Sequence, residues 1–199
     1  MDAPIGVLAF QGDFGKHIDL LASMGREAVP VRSPDHLEGI GALIIPGGES
    51  TTIGMLCERF GLLERIRERA GAGLPILGTC AGAILLARDI VGSDQPRFGL
   101  LDIEIRRNAY GRQIESFEAN LTPARELAGS DEEAPLRGVF IRAPLITWVD
   151  NNVEVIARFE ESPVVVRQGN IVAATFHPEL TGEVRIHRLL LARVPNPTP

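Results

Sequence analysis

The 199-residue sequence is poor in cysteine, in aromatic side chains and in clustered positive charge. Its two cysteines, Cys57 and Cys80, supply neither a disulfide framework nor the paired spacing of a zinc site, and they favour a reducing, cytoplasmic environment. Tryptophan and tyrosine occur once each, the formal net charge is −6, and no run of Lys and Arg exceeds two residues. The electrostatic requirements for binding nucleic acid are therefore missing.

Long hydrophobic runs and a basic N-terminal segment are also missing. No apolar run reaches the roughly 18 residues that a membrane-spanning helix requires, so we expect a protein that is neither exported nor inserted in a membrane. With 45% hydrophobic residues, the chain is long enough to bury a core without disulfides or a metal. We expect one domain over residues 1–194, followed by a disordered tail at 195–199, where three prolines prevent a helix.

The first half of the chain alternates short apolar runs with stripes at helical spacing. Strands are predicted at 5–10, 27–32, 42–45 and 75–79. Three helices are predicted between and after these strands. The first is indicated by an apolar stripe at Ile18, Leu21 and Ala22, and the third covers 81–88. The second has Ser50 or Thr51 as its cap and an apolar stripe at Ile53, Leu56, Cys57 and Phe60. This alternation predicts an α/β fold, a three-layer α/β/α sandwich with a mostly parallel central sheet.

The second half of the chain lacks this alternation of strands and helices, because its strand-like segments follow one another with short connections. They lie at 101–106, 138–142, 153–159, 164–168 and 171–176, and they predict antiparallel additions to the sheet. A hairpin turn is predicted at 168–170 and a polar surface loop at 122–135. A last helix is predicted at 183–194, with Ile186, Leu189 and Leu190 on one side.

Residues 78–82 read Gly-Thr-Cys-Ala-Gly and stand between a predicted strand and a predicted helix. Glycines around a central nucleophile are typical of a nucleophile elbow, which holds the reactive side chain clear of the sheet. A helix N-terminus favours a thiolate, so Cys80 is a candidate nucleophile rather than only a small buried residue. Cys57, by contrast, falls on the apolar stripe of a helix, which favours a packing role.

A proton carrier for that thiol is predicted at His177, with Glu179 two positions later. Alternate residues of an extended chain project to the same side, so Glu179 can orient the imidazole while His177 faces Cys80. The three other histidines, His17, His36 and His187, have no such context and are expected to be ordinary surface or helix residues.

A glycine loop follows the third predicted strand. Its residues Gly47 and Gly48 allow the backbone to approach a ligand and to turn amides toward it, as an oxyanion hole requires, although a plain turn is equally compatible with this segment alone. If the loop is functional, the amides of Gly48 and Ala81 are the natural pair of oxyanion donors.

Taken together, these segments resemble the class I, triad-type glutamine amidotransferases. The shared motifs are residues 46–51 (PGGEST), 78–82 (GTCAG) and 177–179 (HPE). Four further segments are similar to the branch that forms the glutaminase subunit of pyridoxal 5′-phosphate synthase: LAFQG at 8–12, RNAYGRQ at 107–113, SFE at 116–118 and FIRAP at 140–144.

The resemblance implies hydrolysis of L-glutamine to L-glutamate and ammonia by a Cys80, His177 and Glu179 triad, through a glutamyl thioester. It implies no cofactor and no metal. It also implies that the following residues contact glutamine: Gly47, Gly48, Glu49, Arg107, Ile141 and Arg142. A guanidinium suits the α-carboxylate of glutamine and Glu49 suits its ammonium, whereas the sequence without the resemblance would favour surface salt bridges for both arginines.

The resemblance further implies a partner, because members of this branch pass ammonia to a (β/α)8-barrel synthase. A barrel of that type takes roughly 250 residues, so it must be a separate chain, with several glutaminase subunits arranged around a synthase ring. Docking of the synthase near Gln11 and the first helix is expected to complete the oxyanion hole and activate the subunit.

Three alternatives remain open from the sequence. A glutaminase subunit of another amidotransferase, such as imidazole glycerol phosphate synthase, would share the triad but dock differently. A stand-alone γ-glutamyl hydrolase would need no partner for full activity. An inert regulatory module would leave Cys80 unlabelled by a glutamine-like electrophile.

Overall fold

The computed structural model describes residues 3–108, 116–124, 127 and 135–194. The predicted tail at 195–199 and most of the RNAYGRQ segment lie outside the described residues. The helices are α1 (Phe14–Ser23), α2 (Ser50–Arg59), α3 (Leu62–Gly71), α4 (Ala81–Leu86) and α5 (Val184–Leu191), with 3-10 turns at Pro34–Leu37 and Pro178–Leu180. Within the described residues, no helix is both long and apolar enough to cross a membrane.

Twelve strands are found in the part of the chain that the structure describes. They are β1 (Ile5–Leu8), β2 (Ala28–Val31), β3 (Ala42–Ile45), β4 (Ile76–Thr79), β5 (Ala87–Ile90), β6 (Leu101–Arg106), β7 (Ser116–Pro123), β8 (Leu136–Ile141), β9 (Leu145–Val149), β10 (Glu154–Phe159), β11 (Ser162–Gln168) and β12 (Ile171–Ala174). Nine of them form one sheet in the order β2-β1-β3-β4-β12-β11-β10-β7-β8, and β5, β6 and β9 form a second, small sheet.

The large sheet changes character at β12. Strands β2, β1, β3, β4 and β12 run parallel, whereas every pairing from β12 through β11, β10 and β7 to β8 is antiparallel. The predicted turn is found between β11 and β12, where Gln168 pairs with Ile171 and Gly169 takes a φ of 56°. The mixed α/β sheet confirms the predicted fold class.

Alternation along the parallel strands explains the two helical layers. On β3, Leu43 and Ile45 join an apolar cluster with residues of α2, α3 and α4, whereas Ala42 and Ile44 join another with residues of α1 and α5. Successive side chains of a strand point to opposite faces, so a strand that is apolar throughout must be covered on both sides. The three predicted layers follow from this pattern.

Several elements differ from the sequence-based expectations. The predicted helix over 81–88 stops at Leu86, because the chain turns into β5 and pairs with β6. Helix α3 and strands β5, β7 and β9 were not predicted. Ala22 is exposed, since α1 buries His17, Leu20 and Leu21 instead. Neither Ser50 nor Thr51 caps α2; the cap is Glu49, whose carboxylate accepts hydrogen bonds from two backbone N–H groups.

The segment predicted as a polar loop at 122–135 is partly outside the described residues. Its first two residues belong to β7, and Leu127 is buried in the apolar cluster shared by α1 and α5. The predicted last helix is confirmed over Val184–Leu191, with Ile186, Leu189 and Leu190 buried.

Two helical glycines allow the packing of α2 to be tested. A Cβ placed on Gly54 would stand 2.2 Å from the carbonyl oxygen of Pro96, whereas one placed on Gly71 in α3 would meet nothing within 4 Å. Helix propensity favours alanine at both positions. We therefore expect Gly54→Ala to lower the free energy of unfolding by about 2 kcal/mol or more, and Gly71→Ala to raise it by up to about 1 kcal/mol. Urea unfolding measures both, and stabilisation by both substitutions would contradict the close approach of α2 to Pro96.

Candidate active site

A cleft of about 270 Å³ lies beside the carboxyl ends of the parallel strands. Its lining includes most of the residues singled out by the sequence: Gly47, Gly48, Glu49, Cys80, Ala81, Arg107, Ile141, Arg142 and His177. Glu179 and Gln11 do not line it; each lies behind a residue that does. Residues predicted from separate segments of the chain are thus brought to one place.

Cys80 occupies the turn between β4 and α4. Its backbone takes φ 50° and ψ −102°, a conformation that residues with a Cβ rarely adopt. The turn is held by a hydrogen bond of 2.8 Å from the Cys80 backbone N–H to the carbonyl of Ala174 on β12. It also depends on Gly82, because a Cβ there would stand 2.0 Å from the carbonyl oxygen of Ile45. The geometry is that of the predicted elbow.

His177 and Cys80 both line the cleft, and their side chains interact strongly enough to raise the pKa of the imidazole. On its other side, His177 Nδ1 is 2.7 Å from Glu179 Oε1, and both side chains are nearly inaccessible to solvent. His177 follows β12, the strand that pairs in parallel with β4, so both side chains emerge at the same edge of the sheet. The structure therefore brings the three predicted residues into the order thiol, imidazole, carboxylate.

Burial and charge shift the pKa values of His177 and Glu179 in opposite directions. Burial alone would lower the pKa of His177, but hydrogen bonds and charge interactions with Cys80 and Glu179 outweigh it and raise the pKa to about 10. Burial likewise opposes ionisation of Glu179, yet the hydrogen bond from His177 and the neighbouring imidazoles keep the pKa of Glu179 below its usual value. An imidazole that carries its proton at neutral pH can stabilise a neighbouring thiolate.

The glycine loop packs directly against the imidazole. A Cβ on Gly47 would stand 2.4 Å from His177 Cε1, and a Cβ on Gly12 would stand 1.8 Å from the carbonyl oxygen of Gly47. The side-chain oxygen of Gln11 accepts a hydrogen bond of 3.1 Å from the backbone N–H of Glu49. The turn that precedes α1 thus contacts the glycine loop and holds it in place. Larger residues cannot replace Gly12 or Gly47, because their Cβ atoms would collide with neighbouring atoms.

Glu49 and Arg107, both predicted to bind substrate, pair with each other at 2.9 Å. Burial works against ionisation of Glu49, but hydrogen bonds from Thr52 and Thr51 at the start of α2 lower its pKa to about 2. Arg107 also donates to Thr51 Oγ1 and to Gln95 Oε1, each at 2.8 Å. Gln95 was not predicted, and no motif in its segment singles it out.

Ile141 and Arg142 border the cleft at the end of β8. The carbonyl oxygen of Ile141 is 3.9 Å from Cys80 Sγ, and Arg142 takes a φ of 44°. The positive φ of Arg142 is strained for a residue with a Cβ, and it turns the chain at the point where both residues line the cleft.

Comparison with known proteins agrees with this geometry. A model of the SNO glutamine amidotransferase family matches residues 7–196. The chain belongs to this family. A relative from Pelotomaculum thermopropionicum, named pyridoxal 5′-phosphate synthase subunit PdxT, is 56% identical over 189 residues, which cover 95% of this chain and 94% of that protein. A protein of the same name from Thermus thermophilus is 52% identical over 193 residues, covering 96% and 97%.

Solved structures show the same fold. A crystal structure described as a glutamine amidotransferase has 49% sequence identity and a TM-score of 0.88, covering 96% of this chain and 98% of that one. A chain in the structure of PurLQS from Thermotoga maritima, at 19% identity, has a TM-score of 0.74, covering 98% of this chain and 100% of that one. At that identity the likeness concerns the fold alone.

Two of the histidines in this amidotransferase chain lie in helices, which was one of the two expected settings, but neither is at the surface. His17 and His187 are fully buried, and His17 Nε2 lies 3.4 Å from Glu179 Oε2. A signal was present in the sequence, since His17 stands three and four positions before the buried Leu20 and Leu21 and therefore shares their helical face. His36 is exposed, as expected. Among the described residues, no cluster of three or more His, Cys, Asp or Glu is arranged to hold a metal ion.

The two cysteines should differ sharply in reactivity. Burial raises the pKa of Cys57 to about 12, so its thiol stays protonated in the folded protein. Cys80 instead faces an imidazole whose pKa of about 10 keeps it protonated through neutrality. We expect iodoacetamide to modify Cys80 and not Cys57 in the folded protein at pH 7, because burial keeps the Cys57 thiol protonated.

Mass spectrometry of the modified protein identifies the alkylated cysteine. In urea both cysteines should react, with a rate that rises as free thiols ionise. Modification of Cys57 in the folded protein would contradict its protonated, buried thiol, and His177→Gln should slow the modification of Cys80 if the protonated imidazole assists it.

Proposed function

We propose that this chain is the glutaminase subunit of a pyridoxal 5′-phosphate synthase, which hydrolyses L-glutamine and delivers the ammonia to a separate synthase chain. The observation that carries the proposal is the 56% identity, over nearly the whole of both chains, to a protein named as a subunit of that synthase. The arrangement of Cys80, His177 and Glu179 supports the chemistry.

The first half of the reaction forms an acyl-enzyme. Cys80 Sγ attacks the side-chain amide carbon of glutamine, and the carbonyl oxygen becomes an oxyanion. Collapse of this intermediate breaks the carbon–nitrogen bond while His177 gives its proton to the leaving nitrogen, which departs as ammonia. A glutamyl thioester remains on Cys80.

The second half regenerates the enzyme. Neutral His177 takes a proton from water, which attacks the thioester, and glutamate leaves as the carbon–sulfur bond breaks. Glu179 holds the imidazole in the tautomer that directs Nε2 toward the reacting atoms, because its carboxylate accepts from the Nδ1 side. Protonated His177 and the Cys80 thiolate are then restored.

Substrate binding is proposed for Gly47, Gly48, Glu49, Arg107, Ile141 and Arg142, all of which line the cleft. Glu49 is an ionised carboxylate at the cleft wall and suits the substrate ammonium. Arg107 and Arg142 suit the α-carboxylate, so the ion pair between Glu49 and Arg107 would open to receive a zwitterion. Gly48 and Ala81 line the cleft together with Cys80, and their backbone amides are the proposed oxyanion donors.

The proposed partner is a (β/α)8-barrel synthase assembled as a ring that carries several glutaminase subunits. Gln11 is the proposed point at which docking acts, because its side chain is bonded to the backbone of the glycine loop. A shift of Gln11 would move Glu49 N–H and with it the adjacent Gly48. We further propose that residues 1–194 form one glutaminase domain and that the enzyme is cytoplasmic, which its two unpaired cysteines favour.

Replacement of the nucleophile separates glutamine hydrolysis from synthesis. We expect Cys80→Ala to abolish pyridoxal 5′-phosphate formation from glutamine in the assembled complex, because no thioester can form. Synthesis from added ammonium salts should remain at the wild-type rate. The absorbance of pyridoxal 5′-phosphate measures synthesis from glutamine and synthesis from ammonium salts. The Cys57→Ala variant is the control and should retain both activities. Loss of ammonium-dependent synthesis as well would show that Cys80 serves folding or docking instead.

Dependence on the partner is tested by the glutaminase rate itself. We expect addition of the synthase chain to raise kcat for glutamine hydrolysis by about 100-fold or more, because a single oxyanion-hole donor is typically worth about 10²–10³ in kcat. Gln11→Ala should reduce this stimulation, because the link to the glycine loop is lost. Release of glutamate, measured with and without the synthase, is the readout, and equal rates would exclude activation by docking while leaving the triad in place.

A further inference from the structure

A row of buried polar side chains continues from the candidate triad into the protein interior. His17 Nδ1 lies 2.9 Å from His187 Nε2, and His17 Nε2 lies 3.2 Å from Thr79 Oγ1 and 3.4 Å from Glu179 Oε2. These four side chains come from α1, α5, β4 and the 3-10 turn at Pro178–Leu180. Each is buried, and His17, Thr79 and His187 are fully inaccessible. The mechanism above uses Glu179 and leaves the two histidines unexplained.

The two oxygens of Glu179 have different surroundings. Oε1 receives the close hydrogen bond from His177 Nδ1. Oε2 is buried and has no hydrogen-bond partner among the described residues, and His17 Nε2 stands 3.4 Å from it. A buried carboxylate oxygen left without a donor is costly, and the imidazole of His17 is close enough to offset part of that cost.

The carboxylate also determines which nitrogens carry protons. Because an ionised carboxylate only accepts hydrogen bonds, the tautomer of His17 with its proton on Nε2 is the one that the nearby Glu179 Oε2 favours. In that tautomer His17 Nδ1 accepts from Nε2–H of His187, 2.9 Å away. The hydroxyl of Thr79 can rotate to fit this arrangement. Both imidazoles thus direct an N–H toward Glu179, and they form a line of donors that ends at the carboxylate.

Charge in this region is confined to the triad. Burial lowers the pKa of His17 and lowers that of His187 to about 3, so both rings are neutral at physiological pH. The ionisable groups that act on His17 are Glu179, His177 and Asp13, and His17 in turn acts on His187. A neutral donor holds Glu179 Oε2 without competing with His177 for the role of counter-ion.

We propose that His17 is a positioning residue for glutamine hydrolysis: its Nε2–H fixes Glu179 Oε2, so that Oε1 is aimed at His177 Nδ1, and His187 holds His17 in the required tautomer. This inference rests on the proposed function, since it assigns a role within the same site. His17 does not line the cleft, so its effect is on the orientation of the imidazole and not on glutamine binding.

Glutamine and methionine provide a matched pair of substitutions at this position. The side chain of His17→Gln can place an amide N–H where Nε2–H stands, whereas His17→Met has similar length and no donor. In the complex with the synthase, we expect His17→Met to lower kcat for glutamine hydrolysis about 10- to 100-fold with little change in KM, the factor of one hydrogen bond to a charged group. His17→Gln should recover most of that loss. Exposed His36→Asn is the control and should match the wild type.

A third variant covers the case in which His17→Met does not fold. His17→Asn retains a polar group for His187, but its shorter side chain cannot reach Glu179, so we expect the same loss of kcat as for His17→Met. Thermal unfolding of each variant shows whether the protein is folded at the assay temperature.

A double-variant cycle distinguishes positioning from a general loss of structure. If His17 acts through Glu179, adding His17→Met or His17→Asn to Glu179→Gln should change kcat by less than about twofold. A second readout is the imidazole ¹H–¹⁵N spectrum, in which the downfield Nδ1–H signal of His177 should persist in His17→Gln and shift upfield or disappear in His17→Met and His17→Asn.

The outcomes separate the two proposals. A folded His17→Met or His17→Asn variant with wild-type kcat, or with the same loss in the Glu179→Gln background, would overturn the positioning role of His17 even if the triad is catalytic. A wild-type complex whose glutaminase activity equals that of Cys80→Ala would overturn the proposed function. In that case the ¹H–¹⁵N signal of His177 still decides whether His17 orients Glu179.

Discussion

The parallel pairing of β4 with β12 determines where the reactive groups of the candidate site stand. Thr79 pairs with Ala174, and the backbone N–H of Cys80 donates to the Ala174 carbonyl at 2.8 Å. Parallel strands end at the same edge of a sheet, so the residues that follow them, Cys80 and His177, become neighbours although they lie almost a hundred positions apart in the chain. Any slip in this register would shift Cys80 relative to His177 and separate the thiol from the imidazole.

Three glycines allow the close contacts that complete the site around the paired strands β4 and β12. Gly82 lets α4 start against the carbonyl of Ile45, Gly47 leaves room for the imidazole ring, and Gly12 lets the turn before α1 touch the glycine loop. A side chain at any of them would collide with backbone or ring atoms at 2.4 Å or less. The strained φ of Cys80 is tolerated because hydrogen bonds and packing on both sides of the elbow fix it.

Burial decides which of the clustered titratable groups are charged. Glu179 lies between two imidazoles, but only His177 also faces Cys80, and the pKa of His177 alone is raised. For His17 and His187 the cost of burial dominates and lowers the pKa of each. The result is a single imidazolium on the cleft side of the carboxylate and neutral donors on its interior side. This asymmetry suits a site in which His177 alone exchanges protons with substrate and water.

The sequence by itself determined the local features whose residues are close together along the chain. These include the parallel strands of the first half, the turn at 168–170, the elbow around Cys80 and the His177-Pro178-Glu179 segment, because periodicity and turn chemistry depend on neighbouring residues. Only the tertiary structure decided that Ala87 leaves a helix to begin β5, that Glu49 rather than Ser50 caps α2, and that His17 is buried against Glu179. Two of these depend on an element far away in the sequence: β6 draws the chain at Ala87 into a strand, and α5 closes over the face of α1 that carries His17. Glu49 caps α2 through the nearby Thr51 and Thr52 and is also paired with the distant Arg107. A local sequence pattern indicates which structure or chemistry a residue can support. The burial and the charge of that residue depend on its surroundings in space, which are assembled from distant segments.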